Sequence, residues 1–241
     1  MFREIGSVFS FLTIIPANNT NIETVAKLMY IFPIVGILIG LMIGSFAFGI
    51  SLILDPLIVS LLVVAALSII TGIHHTDGLA DFADGLMTKG KKEKKLKAMK
   101  DISTGSAGTV SIVLYIIGMI IVISLMTGFV LFQAILLSEV LAKFSMVLQA
   151  SMGRSAALGS NSPFVQIMRD KKRLAFAGII TIIPLVVIGG TTGLIVFASS
   201  IIITMFLLAI STRSFGGITG DVLGATNEIT RLSSLVIFAS L

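Results

Sequence analysis

The sequence contains no cysteine and no tryptophan, and only 12% of its 241 residues are charged. The missing cysteines exclude disulfide bonds and thiolate metal sites, so a bound metal ion would need oxygen or imidazole ligands. A soluble domain usually carries about 25% charged residues. Here 56% of the residues are hydrophobic, and the mean hydropathy is +1.08. We therefore expect one integral-membrane domain over residues 1–241, since no long polar stretch remains to form a second core.

Long apolar runs predict the membrane spans, because about 20 apolar residues cross a bilayer. Six runs reach or approach this length: 31–54, 56–73, 109–129, 131–152, 174–190 and 192–210. A further run, 232–241, is too short for a full crossing, and 5–15 is typical of an interfacial helix. The predicted fold is an all-α polytopic membrane protein with about six to seven transmembrane helices and an interfacial N-terminal helix.

The connections between these runs alternate in charge, which predicts the topology. Asp55 is the only ionisable side chain in the connections 51–56, 127–133 and 189–200. The other connections hold nearly every lysine and arginine: the N-terminus to residue 27, 74–108, 153–173 and 211–231. The positive-inside rule places this second group in the cytoplasm, at the plasma membrane. Since an ion channel would show polar residues at both ends, this asymmetry favours an enzyme that works at the cytoplasmic face.

The segment 74–85, HHTDGLADFADG, directly follows an apolar run and carries three acids among small and apolar residues. Asp77, Asp81 and Asp84 are spaced i, i+4 and i+7, so on a helix they lie within roughly 60° of one another. Such a cluster raises the pKa of each carboxyl unless a cation neutralises it. Carboxylate oxygens suit Mg²⁺ or Mn²⁺, which also bind substrate phosphates. The stripe predicts a metal site for phosphoryl chemistry; the alternative is a solvated helix face.

His74 and His75 are the only histidines, and they precede the acid stripe directly. A histidine at the end of a span is often an interfacial hydrogen-bonding residue. Beside carboxylates, either imidazole is also a candidate general base, or a group that orients one.

Two further stretches carry candidate residues, the first for binding substrate phosphate and the second for a further metal ligand. Lys100 and Asp101 precede a predicted helix start at which Gly105 and Gly108 would let a phosphate approach free N–H groups; the alternative is helix capping and close helix packing.

The second stretch is 216–228, GGITGDVLGATNE, in which Gly217 and Gly220 lead to Asp221. Like the first acid stretch, it places an acid after an apolar run, so Asp221 is a candidate fourth metal ligand. Arg154 follows another span; it either reaches to lipid headgroups or binds a phosphate through both guanidinium nitrogens.

Several of these stretches together resemble one family. They are 9–16 (FSFLTIIP), 32–36 (FPIVG), 75–85 (HTDGLADFADG), 99–101 with Gly105 and Gly108, and 216–225 (GGITGDVLGA). In this order, and in a chain of this length, they resemble the cobalamin synthase (adenosylcobinamide-GDP ribazoletransferase) family from end to end. Two positions depart from its pattern: Ile14, and the stretch 102–104, stand where the family commonly has an arginine.

The resemblance implies a Mg²⁺-dependent transferase embedded in the membrane. Its partners would be adenosylcobinamide-GDP and α-ribazole or α-ribazole 5′-phosphate. We expect membrane lipid around the chain and no nucleic acid, and assembly into a homo-oligomer is compatible with this expectation. An alcohol of the ribazole would displace GMP and form adenosylcobalamin or its 5′-phosphate, the last step of nucleotide-loop assembly. Asp77, Asp81, Asp84 and Asp221 would bind the metal, and Asp81, Asp84 or His75 would act in catalysis.

Two other functions are weighed against this one. A CDP-alcohol phosphatidyltransferase also uses aspartates on membrane helices and expels a nucleoside monophosphate. Its longer pattern has an Ala-Arg pair after the first Asp-Gly, whereas no arginine follows Gly78 or Gly85 here. A cation transporter would need acids within the spans and access from both sides, which the nearly uncharged outer connections disfavour.

Overall fold

The computed structural model describes residues 2–16, 21–156 and 162–241, and these residues form helices almost throughout. The helices are α1 (Phe2–Leu12), α2 (Ile22–Lys27), a short 3₁₀ helix (Met29–Ile31), α3 (Phe32–Ser51), α4 (Pro56–Ile70), α5 (His74–Met87), α6 (Lys92–Ala98), α7 (Ser106–Ser124), α8 (Gly128–Met152), α9 (Ser162–Ile167), α10 (Lys171–Val187), α11 (Gly190–Phe215) and α12 (Gly220–Ser240). No β-strand forms within the described ranges. The predicted all-α fold is confirmed.

Four helical segments are long and apolar enough to cross a membrane, namely Met29–Ser51, α7, α8 and α11. The pair α4–α5 makes a fifth if it is taken as one span, but its two helices meet at 91°. All six predicted apolar runs are helical, and the polytopic character is confirmed. Since α5 turns away from α4 at nearly a right angle, we treat it as lying outside the spans.

The C-terminal segment differs from its prediction. Residues 232–241 were predicted to be a short separate run, and 211–231 a polar connection before it. In the structure, neither 232–241 nor most of 220–231 is a separate segment. Both belong to α12, a continuous helix of 21 residues. Gly216, at φ +87°, ends α11, and the hydroxyl of Thr219 accepts a hydrogen bond from the Val222 N–H (3.2 Å), which starts α12. One helix therefore carries Asp221 and the C-terminal apolar run.

Helix α8 lies at the centre of the bundle and packs most extensively against α3 and α12. Glycines on α3 permit the close approach: a Cβ atom on Gly36 would lie 2.6 Å from the carbonyl oxygen of Glu139, and one on Gly40 would lie 2.7 Å from the Cα of Leu136. Small residues spaced four apart allow this backbone contact between membrane helices. The bundle core therefore fixes α8 and, with it, α12.

The junction between α4 and α5 is backbone in an unusual conformation. Gly72 (φ +64°) and Ile73 (φ +63°) both adopt left-handed angles, and Ile73 is the described chain's one non-glycine residue with positive φ. A β-branched residue in this region is strained, at a cost of order 1–3 kcal/mol. The junction turns the chain by 91° and sets the direction of the acid-bearing helix.

Candidate active site

Helices α5 and α12 cross in close contact, which brings the predicted acids together. A Cβ atom on Gly78 would lie 3.1 Å from the Cα of Asp221, and one on Gly224 would lie 3.2 Å from the carbonyl oxygen of His75. A side chain at either position would be tightly packed, so the two backbones lie close together. Asp77, directly before Gly78, and Asp81, one turn after it, therefore lie on the part of α5 that faces Asp221 at the start of α12.

The electrostatics of Asp81 follow from this crossing. Its pKa is raised from 3.8 to about 6, first by burial and then by the negative charges of Asp221, Asp77 and Asp84. All four of these contributions act in the same direction on the pKa of Asp81. The predicted stripe is thus a group of mutually repelling carboxylates drawn from two helices.

The pKa of Asp221 is also raised, chiefly because the side chain is buried, with a smaller contribution from the charge of Asp77. Opposing influences are a long hydrogen bond from the Thr219 hydroxyl (3.4 Å) and the positive charge of Lys100. Lys100, predicted as a phosphate contact, is exposed and acts electrostatically on this acid. It therefore lies within electrostatic range of Asp221.

Asp84 is placed differently from its neighbours, because it caps α7. Its Oδ2 accepts a hydrogen bond from the Gly105 N–H (2.7 Å) and its Oδ1 accepts one from the Gly108 N–H (2.8 Å). A Cβ atom on either glycine would lie 2.5 Å from an oxygen of this carboxylate. The N–H groups predicted to bind a substrate phosphate are thus bonded in this structure to the side chain of Asp84.

The two histidines occupy different surroundings. His74 is exposed, whereas His75 is only 7% exposed and its Nδ1 has no hydrogen-bond partner among the described residues. Both line a cavity that also reaches Asp221.

The remaining predicted contacts lie at the edge of the acid group. Arg154 is exposed, and its Nε donates to the carbonyl oxygen of Gly216 (2.9 Å). The Ile218 N–H donates to the Arg154 carbonyl (2.8 Å), and a Cβ atom on Gly217 would lie 2.3 Å from that same oxygen. Arg154 and Gly217 thus hold two loops together.

Gly220 and Asp101, two further predicted substrate contacts, have fewer close neighbours in the structure. Gly220 is the first residue of α12, with open space around it. Asp101 is exposed, and its Oδ1 accepts a hydrogen bond from the Ser103 N–H (3.1 Å), which shapes the loop before α7.

Sequence reasoning missed a second charged group, inside the bundle. Arg231 pairs with Glu139 and with Glu228, and Lys143 lies 3.7 Å from Glu139. Lys143 also donates to Asn227 Oδ1 (2.7 Å), and Arg231 donates to the hydroxyl of Tyr115 (2.9 Å). The i, i+4 spacing of Glu139 and Lys143 within a predicted span was the available signal.

Taken together, the chain is a polytopic membrane protein with carboxylates gathered where two helices cross at the end of the bundle. It belongs to the family described as cobalamin-5-phosphate synthase, which it matches over residues 4–239.

Individual relatives carry the name adenosylcobinamide-GDP ribazoletransferase. The one from Methanocella arvoryzae is 31% identical over 258 residues, covering 100% of this chain and 96% of its own length. Those from Methanococcoides burtonii and Archaeoglobus fulgidus are each 33% identical, over 96% and 98% of this chain and 89% and 96% of their own lengths. No solved structure matches the chain.

Proposed function

We propose that this chain transfers α-ribazole, or α-ribazole 5′-phosphate, to adenosylcobinamide-GDP and releases GMP. The product is adenosylcobalamin or its 5′-phosphate, so the reaction completes the nucleotide loop. The proposal rests on the family to which the chain belongs and on one observation in particular. That observation is the crossing of α5 and α12, which gathers carboxylates beside Lys100 at one end of the bundle.

The reaction replaces the phosphoanhydride bond of adenosylcobinamide-GDP with a phosphodiester bond. A ribose hydroxyl oxygen of the acceptor forms a bond to the phosphorus attached to cobinamide, and the bond from that phosphorus to the oxygen of GMP breaks. The hydroxyl proton passes to a carboxylate, and GMP leaves with the electron pair of the broken bond. Asp81 is the proposed proton acceptor, because it lies in the middle of the stripe between Asp77 and Asp84 and interacts with Asp221.

The residues fit a hard divalent cation, although they do not form a complete cage. Within the described ranges, no three acid, histidine or cysteine side chains converge closely enough to hold a metal ion by themselves. Mg²⁺ commonly uses one or two carboxylates and completes its coordination with water and substrate phosphates. We therefore assign Mg²⁺ binding to Asp77 and Asp221, one from each crossing helix. Bound there, the ion supplies positive charge for the diphosphate of the substrate.

We assign Asp84 a positioning role and not the role of proton acceptor given to Asp81, because both of its oxygens already accept backbone hydrogen bonds. It positions α7 against α5 and so fixes the loop that carries Lys100 and Asp101. Lys100 would then stabilise negative charge on the substrate phosphates.

We propose that the active end faces the cytoplasm at the plasma membrane. The lysines of α6 lie near this end, since Lys95 donates to the carbonyl oxygen of Leu86 at the end of α5 (2.8 Å). Asp55 begins α4 at the opposite end of that helix. Exposed large apolar side chains along α3, α4, α7 and α11 are suited to membrane lipid.

The test is a transfer assay with purified protein, adenosylcobinamide-GDP, α-ribazole 5′-phosphate and Mg²⁺, in which GMP and joined corrinoid are measured together. Equal amounts of both products are expected. GMP without joined corrinoid would identify a hydrolase and overturn the proposed transfer.

Matched variants separate the two acid roles. Asp221→Asn should raise the Mg²⁺ concentration needed for half-maximal rate, whereas Asp81→Asn should lower kcat at an unchanged Mg²⁺ requirement. The reverse pattern would contradict these assignments.

A further inference from the structure

A cavity of about 370 Å³ opens beside the acid group, between α1, α5 and α12, with residues of α3, α8 and α9 completing its wall. It falls in the range of about 300–1,000 Å³ that is usual for small-molecule sites. Its lining is mostly apolar, and its polar side chains are Ser10, His74, His75 and Asp221. The catalytic assignments above use only the last of these four.

One wall of the cavity is aromatic. Phe11, Phe32 and Phe164 come from three separate helices, and their ring centroids lie 5.7 to 6.5 Å apart. Phe32 and Phe164 are almost fully buried. Rings at these distances interact favourably with one another, and of the three the half-buried Phe11 is the ring that a further flat ring could contact directly.

The opposite wall is polar, and one of its buried polar atoms lacks a hydrogen-bond partner among the described residues. His75 is 7% exposed, and its Nδ1 is a buried nitrogen without a hydrogen-bond partner among the described residues. Leaving such a group unpaired costs free energy, and buried polar atoms in native proteins usually have a partner. Asp221 and the glycines of the α5–α12 crossing continue this wall towards the carboxylates.

These features select among the parts of the two substrates of the proposed function. The corrin ring is too large for the cavity. The guanine base of the nucleoside diphosphate carries polar groups on its edges, and the apolar walls of the cavity would leave these groups without hydrogen-bond partners. A flat bicyclic base with apolar edges and one ring nitrogen matches the aromatic wall at one side and His75 at the other. A lipid acyl chain would fit the apolar wall but leave His75 unpaired.

We propose that this cavity binds the aromatic base of the incoming ribazole, with a ring nitrogen of the base hydrogen-bonded to His75. The inference rests on the proposed function and assigns one substrate to one site. The base then lies against the half-buried Phe11, behind which Phe32 and Phe164 pack, and the attached ribose extends past Asp221 towards Asp81. His75 binds and orients the acceptor in this arrangement.

The first test fills the cavity. Ser10→Phe adds a ring at the half-buried edge of the site, and Ser199→Phe makes the same change at a half-buried position of α11 that does not line the cavity. Ser10→Phe should raise the KM for α-ribazole 5′-phosphate about 10- to 100-fold, as expected when stacking contacts are lost, and leave the KM for adenosylcobinamide-GDP within about twofold. Ser199→Phe should change neither. An equal effect of Ser10→Phe on both substrates would overturn the assignment.

The second test probes the hydrogen bond. His75→Phe should weaken binding of α-ribazole 5′-phosphate, and His75→Asn, which retains a donor, should restore part of the affinity. Because the chain has no tryptophan, the fluorescence of the benzimidazole ligand reports binding without competing tryptophan emission. Unchanged affinity in a folded His75→Phe variant would overturn the proposal, as would a tightly bound lipid that α-ribazole 5′-phosphate fails to displace.

The same measurements separate this inference from the proposed function. If wild-type protein binds α-ribazole 5′-phosphate in a Ser10-sensitive manner but produces no joined corrinoid, the cavity assignment stands and the transferase activity fails. If transfer is normal in Ser10→Phe and His75→Phe, the activity stands and the cavity assignment fails.

Discussion

Helix α12 contributes to two groups of charged side chains, about two turns apart. In one group the positive and negative charges pair with each other, and in the other most charges are negative. Inside the bundle, Arg231 and Lys143 face Glu139 and Glu228, so two positive and two negative charges are buried together. At the start of the helix, Asp221 meets the acids of α5, and the exposed Lys100 supplies a positive charge that acts on it.

The difference separates a structural group from a binding group. A buried set of charges that pairs within itself needs no ligand and holds its helices together. A set of like charges destabilises the fold until a cation arrives. Asp81, with its pKa raised to about 6, is on the destabilised side. Helix α12 therefore packs into the bundle through the paired Arg231, and at its start it places Asp221 among other acids.

The largest effect is expected from unbalancing the interior group. Arg231→Met leaves Glu139 and Glu228 facing one lysine, and breaking a buried pair in this way costs about 3–5 kcal/mol. The yield of monodisperse protein in detergent and its unfolding temperature should both fall sharply. The double variant Arg231→Met/Glu139→Leu, which restores neutrality, should recover much of the loss. Equal damage in both variants would show that charge balance is not what stabilises this region.

Asp81→Asn should produce the opposite combination at the acid site. Removal of a general base typically costs about 10²–10⁴-fold in rate, so transfer should nearly vanish while folded protein is retained. Asp55→Asn is the matched control, since Asp55 caps α4 through the Leu57 N–H (2.9 Å) and asparagine caps equally well. Near-normal turnover in Asp81→Asn, or a comparable loss in Asp55→Asn, would contradict the location of the site.

Asp84→Asn should have an intermediate effect. An amide provides one oxygen acceptor in place of two, so one of the bonds to Gly105 and Gly108 is lost at the α7 N-terminus. Hydrogen bonds to a charged group contribute about 1.5–3 kcal/mol, which corresponds to roughly 10- to 150-fold in rate if the loop must be ordered for turnover. Amide hydrogen exchange at 105–108 should speed up in this variant. Exchange there should be unchanged in Asp81→Asn.

The smallest effect concerns stability and pH. The pKa of Asp81 in the fold, about 6, lies above the ordinary 3.8, so its charged form opposes folding at neutral pH. This cost is fully present above pH about 6 and shrinks as the pH falls towards 4. In metal-free protein at pH 7–8, Asp81→Asn should therefore unfold at a slightly higher temperature than wild type, with a smaller difference near pH 5. A lower unfolding temperature at neutral pH would contradict repulsion within the acid group.

Residues close in sequence were the predictable part of this site. The spacing of Asp77, Asp81 and Asp84 predicts one stripe on one helix, and α5 confirms that helix. The partner of Gly105 and Gly108 was not predictable, because it lies 21 and 24 residues away in sequence and depends on how α5 meets α7.

The spans were similarly predictable as apolar runs, whereas their internal chemistry depended on contacts between helices. The pairing of Arg231 with Glu139 joins residues 92 positions apart, and no periodicity within α8 or α12 specifies it. Phe11, Phe32 and Phe164 likewise meet only after three helices have packed. Local spacing reports which residues share a face, and tertiary packing decides what that face meets.

The strained turn at Gly72 and Ile73 has a consequence for the direction in which substrate must lie. The bend of 91° sets α5, and with it the acid stripe, at nearly a right angle to the axis of α4. Seven positions of α5 separate Asp77 from Asp84, a distance of about 10 Å along the axis. These acids are therefore spread across the direction of α4 and not along it, and a substrate that follows the stripe lies across that direction as well.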